Sequence, residues 1–212
     1  MLRWFRETRG PVAAHEHHLA GTPAQHPLID AVLGELAPFG VRHAIRFVWS
    51  VEGSGVEEEV PDVIHIHRRM LIAERAPPAV VAISERYAAL TLRATLRHEL
   101  GHALLFCRPR ASRTPAFRRL FGDVRQAYRV GTVADEISRR IRCHGGLANP
   151  RYQRVVSLYA ASHPHEQFAE AVRVALATGG DAAAIAGWGT HHAAGPHAVA
   201  QIAYAASWLA SY

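Results

Sequence analysis

The stretch LRHELGHALL, residues 96–105, decides how the rest of this chain is interpreted. Good helix-forming residues surround it, and Pro109 follows, so we predict one long helix over residues 85–107. Apolar residues recur nearly all round this helix, including Leu92, Leu96, Leu100 and Leu104. A helix that is apolar on most faces packs inside a protein, so we expect this one in the core.

Two histidines of the stretch, His98 and His102, are four residues apart. They therefore share one face of the helix, and both imidazoles are able to reach a single ion. Glu99 lies beside them as a candidate base, and Gly101 leaves room for another element to pack closely. Buried helices rarely carry two histidines and a glutamate unless these residues are paired or bind metal. We predict a zinc site; the alternative is a pair of core histidines satisfied by hydrogen bonds.

A catalytic zinc ion needs a third protein ligand, and the segment HPHEQFAE, residues 163–170, is the best helical source of one. Glu166 and Glu170 are four residues apart, so one carboxylate is placed to bind zinc while the other holds a ligand histidine by its outer nitrogen. His163 and His165 are rival third ligands. The alternative is a solvated acidic first turn that the helix dipole stabilises.

Composition restricts the other classes of function. All 24 basic residues are arginine, there are 15 histidines, and the net charge is +6 over 212 residues. With only Cys107 and Cys143, a thiolate zinc site or a disulfide framework is excluded. The arginines are scattered without a stripe of aromatic residues, so we expect no nucleic-acid partner. No apolar run reaches about 18 residues, so we expect no membrane span.

The order of predicted elements indicates an α+β fold, because a few strands precede a mostly helical remainder. We predict a flexible tail over residues 1–26 and a single domain over 27–212. The predicted strands are 43–51 and 62–69. The predicted helices, besides 85–107, are 28–36, 114–128, 132–142, 152–161, 164–178 and one starting at Pro196, and we predict a loop over 187–195.

The combination of motifs is similar to known proteins. HELGH followed at a distance by ExxAE resembles the gluzincin branch of the zincin metallopeptidases, whose third zinc ligand is glutamate. The segments LRHELGHALL, FRRLFGD and YAASHPHEQFAEA look like a bacterial family of putative zinc-binding metallopeptidases. YAASHPHEQFAEAVRV also resembles the catalytic domain of anthrax lethal factor. The resemblance covers roughly residues 62–178.

That resemblance implies a zincin-like fold and a zinc-dependent peptidase that cleaves peptide bonds with a zinc-activated water. It also implies a role for each matching residue. The metal ligands would be His98, His102 and Glu166, the general base Glu99, the carboxylate behind a ligand histidine Glu170, and the oxyanion donor Tyr159.

The remaining expectations concern partners and location. In zincins the edge strand before the active-site helix binds the substrate as an added strand, so His65 and His67 are weak candidates for substrate contact, or else lie on a solvent face. The substrate would be a peptide or protein. The N-terminus lacks the apolar stretch of a signal peptide, so we expect the cytoplasm, with non-classical export open. The alternatives are a non-catalytic, zinc-stabilised binding module and a zinc hydrolase of a non-peptide amide. No oligomeric state is predicted.

Overall fold

The computed structural model of the chain describes residues 23–50, 54–67, 86, 91–127 and 133–212. These residues form a small sheet followed by a mostly helical remainder, which confirms the predicted α+β class. The strands are β1 (Arg46–Ser50), β2 (Gly55–Glu57) and β3 (Val60–His67). The α-helices are α1 (Pro27–Gly34), α2 (Leu92–Cys107), α3 (Pro115–Phe121), α4 (Val133–His144), α5 (Pro164–Ala177), α6 (Ala182–His191) and α7 (Pro196–Ala210).

The sheet has the strand order β1-β3-β2. β1 runs parallel to β3, with Phe47 opposite Ile64, and β2 runs antiparallel to β3 on the other side. Ile64 and Ile66 are fully buried and face the helices, as the alternating pattern predicts, whereas His65 and His67 are half-buried on the opposite side. One face of the sheet therefore belongs to the core.

The last residues of the predicted tail are attached to the folded part of the chain. Pro23 forms a β-bridge with Val48, and the Ala24 amide donates to the Phe47 carbonyl at 2.8 Å. Nδ1 of His26 accepts the Leu28 amide at 3.2 Å and thereby caps α1. The rest of the predicted tail lies outside the described residues.

The helix α2 begins at Leu92, where the Thr91 hydroxyl accepts the Ala94 amide at 3.2 Å. The predicted continuous helix over residues 85–107 is therefore wrong at Thr91, whose backbone is extended (φ −97°, ψ 157°), while residue 85 itself lies outside the described residues. Arg97 donates two hydrogen bonds of 2.7 Å to the Glu35 carboxylate, and Arg93 donates a third to the same carboxylate at 3.4 Å. The more exposed side of α2 thus carries Arg93 and Arg97, both paired with Glu35, while most other residues of the helix are buried.

The predicted helix over 152–161 is wrong. The chain instead forms two 3₁₀ turns, Pro150–Arg154 and Ala160–Ser162, with Val155 extended between them. The buried guanidinium of Arg86 donates to the Tyr152 and Val155 carbonyls at 3.2 Å each. These long-range bonds satisfy carbonyls that an α-helix would have used locally.

Two further boundaries differ from the predictions. α3 ends at Phe121 rather than near residue 128, because Gly122 has a φ of +100° that turns the chain. The predicted loop over 187–195 is mostly helical, since α6 continues to His191. A Cβ atom at Gly189 would lie 2.6 Å from Val199 Cγ2, so this glycine permits close packing of α6 on α7.

The centre of the molecule is the pair α2 and α5, which pack against each other with the sheet on one side and α7 on another. No helix in the described part of the chain is long and apolar enough to cross a bilayer. The pairing of α2 with α5 brings together the two segments that carry the predicted zinc ligands.

Candidate metal centre

Three buried side chains from α2 and α5 point their donor atoms at one spot. Nε2 of His98 lies 3.1 Å from Nε2 of His102 and 3.0 Å from Oε2 of Glu166. Nε2 of His102 lies 3.4 Å from Oε1 of Glu166. In the described part of the chain this is the one group of three such side chains able to hold a metal ion.

The helix pairing that creates this cluster depends on Gly101. A Cβ atom there would lie 2.7 Å from the Ala169 Cα, so the two helix backbones approach as closely as glycine permits. His98 and His102 flank this contact on α2, and Glu166 lies one turn before Ala169 on α5. The close packing that the glycine suggested in the sequence is therefore present, and it sets the distance between the donors.

The donor set fits a zinc ion. Two imidazole nitrogens and a carboxylate oxygen are typical of catalytic zinc sites, which keep a fourth position for water or substrate. A tetrahedral ion with ligands at about 2.0–2.1 Å spaces the ligand atoms roughly 3.3 Å apart. The separations of 3.1, 3.0 and 3.4 Å among His98, His102 and Glu166 agree with that spacing.

A chain of buried charges lies behind His98. Its Nδ1 is 2.8 Å from Oε1 of Glu170, a carboxylate with no exposed surface. The Arg173 guanidinium donates to the same carboxylate, from Nε at 3.2 Å and from Nη2 at 3.1 Å. An Nδ1 proton held by Glu170 leaves the Nε2 lone pair of His98 facing the cluster. Sequence reasoning missed Arg173; the only local signal was its place three residues after Glu170.

The other histidine is held differently. Nδ1 of His102 is buried and has no hydrogen-bond partner among the described residues. Its ring stacks on Phe106, with the ring centroids 5.8 Å apart. His102 is thus positioned by packing, whereas His98 is positioned by a charged hydrogen bond.

The carboxylates shift the protonation of this cluster strongly. Burial by itself would lower the pKa of His98, but hydrogen bonds to Glu166 and Glu170 outweigh it and hold the pKa well above the ordinary value. Burial alone would raise the pKa of Glu166, because it disfavours the charged form of an acid. The contacts with His102 and His98 outweigh burial and hold this pKa well below the usual range. Against the same effect of burial, Arg173 and His98 lower the pKa of Glu170 to about 2. The two carboxylates therefore favour the protonated imidazole of His98, and a metal ion bound there would have to displace a proton from it.

Glu99 is 6% exposed and lies on α2 next to the first histidine. Burial raises its pKa above the ordinary glutamate value, while the nearby imidazoles of His98 and His102 oppose the shift. The general-base role expected of Glu99 stays a prediction, with which a raised pKa is compatible.

Tyr159 lies at the edge of the same cluster. It is 8% exposed, and its ring centroid is 6.2 Å from that of His98. It immediately precedes the 3₁₀ turn Ala160–Ser162, which leads into α5. The structure therefore brings Tyr159 near His98, and its role as an oxyanion donor stays a prediction.

The rival ligands His163 and His165 have other surroundings. His163 caps α5, with its Nδ1 accepting the His165 amide at 3.2 Å and its Nε2 at 3.2 Å from the Gln126 carbonyl oxygen. The His165 ring packs edge-on against Phe106 at 5.2 Å, and burial lowers its pKa to about 3. Neither belongs to the group of donors described above.

The structure does not support the substrate strand predicted at His65 and His67. β3 is the central strand of the described sheet, so His65 has Val48 beside it in β1 and Gly55 beside it in β2. The His67 amide is already bonded to the Ser54 hydroxyl at 3.0 Å. A peptide is unable to add to a strand whose two edges are both paired.

Comparisons with known proteins give a family but no individual relative. None of the curated proteins matches this chain. No solved structure matches it either. The sequence profile of one family, described as "Putative zinc-binding metallo-peptidase", matches residues 75–209, which include α2, α5 and every residue of the metal cluster. Since the match spans more than half of the chain, the protein belongs to this family of zinc-binding metallo-peptidases.

Proposed function

We propose that the protein is a zinc-dependent peptidase that hydrolyses peptide bonds, with His98, His102 and Glu166 as metal ligands. The observation that carries the proposal is the buried convergence of these three donors, with Glu99 next to the first of them. Membership of a family described as zinc-binding metallo-peptidases supports the same reaction class. A zincin-like arrangement of the domain, with a gluzincin ligand set, is part of this proposal.

When bound, zinc lowers the pKa of water towards neutrality and polarises the carbonyl that is attacked. Glu99 accepts the proton that the water loses as its oxygen attacks the peptide carbonyl carbon. The same carboxyl group then delivers that proton to the departing amide nitrogen as the carbon–nitrogen bond breaks. Burial raises the pKa of Glu99, which favours the uptake of a proton by this carboxylate.

Two other side chains act on either side of this transfer. The Tyr159 hydroxyl donates a hydrogen bond to the carbonyl oxygen as negative charge develops there. Glu170 holds His98 in the tautomer whose Nε2 lone pair faces the metal, and Arg173 keeps Glu170 ionised.

The test compares the zinc-loaded wild type with Glu99→Gln on a mixed peptide library, with products identified by mass spectrometry. We expect Glu99→Gln to retain zinc and to lose cleavage, because the amide keeps the shape of the carboxylate and is unable to carry the proton. Glu58→Gln is the matched control, since this exposed glutamate lies in the turn between β2 and β3. It should cleave as the wild type does.

The outcomes separate the alternatives. Cleavage by Glu99→Gln at the wild-type rate would refute the role of the base. A protein that binds zinc, loses stability on chelation and cuts no peptide would be a zinc-stabilised binding module instead. The ligand set is tested separately, because Glu166→Ala should bind zinc far more weakly than the wild type.

A further inference from the structure

A basic groove lies between the C-terminal end of α3 and the 3₁₀ turn Pro150–Arg154. Its volume is about 320 Å³, and its apolar lining is Leu120, Phe121 and Val155. Four arginines line it: Arg118, Arg119, Arg151 and Arg154. All four are exposed, and no acidic residue contributes to the described lining of the groove.

None of these four arginines forms a salt bridge with a carboxylate among the described residues; Arg118 acts on Asp123 only from a longer distance, where it helps to lower the pKa of that carboxyl group. Other arginines of the protein do form such a salt bridge: Arg97 binds Glu35, Arg125 binds Asp123, Arg139 binds Glu136 and Arg173 binds Glu170. Asp123, the acidic residue that follows α3, is held by Arg125 at 2.6 Å. The dipole of α3 favours Arg118 and Arg119 near its end, but it gives no reason for Arg151 and Arg154 to face them.

The wall of this groove is tied to the helix that bears the metal ligand. Gln167, which lines the groove, directly follows Glu166 on α5. The buried Gln201 of α7 donates from Nε2 to the Gln167 Oε1 and to the Leu120 carbonyl, both at 2.8 Å. His197 lies 2.9 Å from the same carbonyl oxygen. The groove and the metal cluster are therefore fixed relative to each other through one turn of α5.

We propose that this groove binds an acidic segment of the peptide substrate. The inference rests on the proposed peptidase function and names a chemical class for its substrate. Four guanidinium groups around a small groove suit carboxylates, which accept two parallel hydrogen bonds from one arginine. The one phenyl ring of the lining, Phe121, is 3% exposed and offers no face on which a nucleic-acid base could stack, and the His197 ring is held at 2.9 Å from the Leu120 carbonyl oxygen.

The test measures binding rather than cleavage, in zinc-loaded Glu99→Gln protein, by fluorescence anisotropy with labelled hexaglutamate. The groove variant carries Arg118→Gln, Arg119→Gln, Arg151→Gln and Arg154→Gln. The matched control removes four other exposed arginines that likewise form no described salt bridge with a carboxylate: Arg42, Arg110, Arg113 and Arg142. Both variants lose four charges, so a difference between them reports the groove and not the net charge.

We expect the groove variant to bind hexaglutamate at least about tenfold more weakly than the parent protein, since each exposed charge pair adds a modest factor. The control variant should lose less than about threefold in affinity. The single variant Arg154→Glu should give a loss in the same direction, and unchanged circular dichroism shows that each variant is folded. Equal loss in the groove and control variants would overturn the inference. Tighter binding of a labelled dodecathymidylate, lost in the groove variant, would overturn the peptide assignment in favour of nucleic acid.

Failure of this inference and failure of the proposed function remain distinguishable. Binding by Glu99→Gln requires no hydrolysis, so the result does not depend on whether the wild type cleaves peptides. If the groove variant binds hexaglutamate as tightly as the parent protein does, cleavage by the wild type in the library assay would still support a peptidase.

Discussion

Replacing Gly101 by alanine tests whether the contact between α2 and α5 sets the geometry of the metal cluster. The added Cβ would lie 2.7 Å from the Ala169 Cα, about 0.8 Å closer than the optimal carbon–carbon distance of ~3.5 Å. The obstacle is backbone, so no side-chain rotation relieves it and the helices must separate. Overpacking of this kind costs about 1–3 kcal/mol, against a gain of about 1 kcal/mol in helix propensity.

We therefore expect Gly101→Ala to lower the free energy of unfolding by up to about 2 kcal/mol, and the Tm by up to about 8 °C. Separation of the helices also pulls His98 and His102 away from Glu166. Because a zinc site tolerates deviations of only about 0.2 Å, we expect zinc affinity to fall at least about tenfold. Urea unfolding of the metal-free protein and competition with a chromophoric chelator measure the two effects.

Gly187→Ala is the matched control, because Gly187 lies within α6 and a Cβ atom there meets nothing within 4 Å. That variant should gain up to about 1 kcal/mol in stability from helix propensity and keep its zinc affinity. If Gly101→Ala also gained stability with unchanged zinc affinity, the close contact would not control the site and the reasoning would be refuted.

Three other perturbations follow from the same contacts. Glu170→Gln should weaken zinc binding about 10–100-fold, measured by chelator competition, because His98 loses its charged partner; unchanged affinity would contradict this. Tyr159→Phe should lower kcat by about 10²–10³ in a peptide cleavage assay while zinc stays bound; equal kcat would exclude it as the oxyanion donor. Arg139 and Arg140 lower the pKa of Glu136 in the folded state. The wild-type stability advantage over Glu136→Gln, measured by urea unfolding, should thus be full at pH 7 and disappear as the pH falls below about 4.3, whereas a pH-independent difference would argue against the ion pair.

The sequence indicated which side chains would converge, because the spacing within each helix is a local property of helices. His98 and His102 share a face whatever surrounds them, and Glu166 and Glu170 do so on α5. The apolar residues around α2 placed that helix in the core, and Gly101 indicated that another element would pack closely there. The contact between the two helices needed the structure, since no local pattern reveals which elements pack together.

The failures have a common physical origin in interactions between distant parts of the chain. The segment 152–161 has a helical pattern, yet its Tyr152 and Val155 carbonyls accept hydrogen bonds from Arg86, which is far away in the sequence. Glycines over 187–195 suggest a loop, yet Gly189 serves the contact of α6 with Val199. The predicted alternation of buried and exposed residues in β3 was correct. Strand order, however, depends on tertiary pairing, and β3 is the central strand of the described sheet and not the edge strand expected to bind substrate.

The least predictable residue of the site is Arg173, and its role explains why Glu170 is buried. A fully buried carboxylate needs a partner, and His98 alone would have to carry a positive charge to provide one. A metal ion bound by His98 would displace that extra proton, and without Arg173 the carboxylate of Glu170 would then lose its balancing charge. Because Arg173 supplies the charge, Glu170 stays ionised while His98 is free to exchange its proton for an ion. The buried arginine thus makes a charged support for His98 compatible with a metal-binding imidazole.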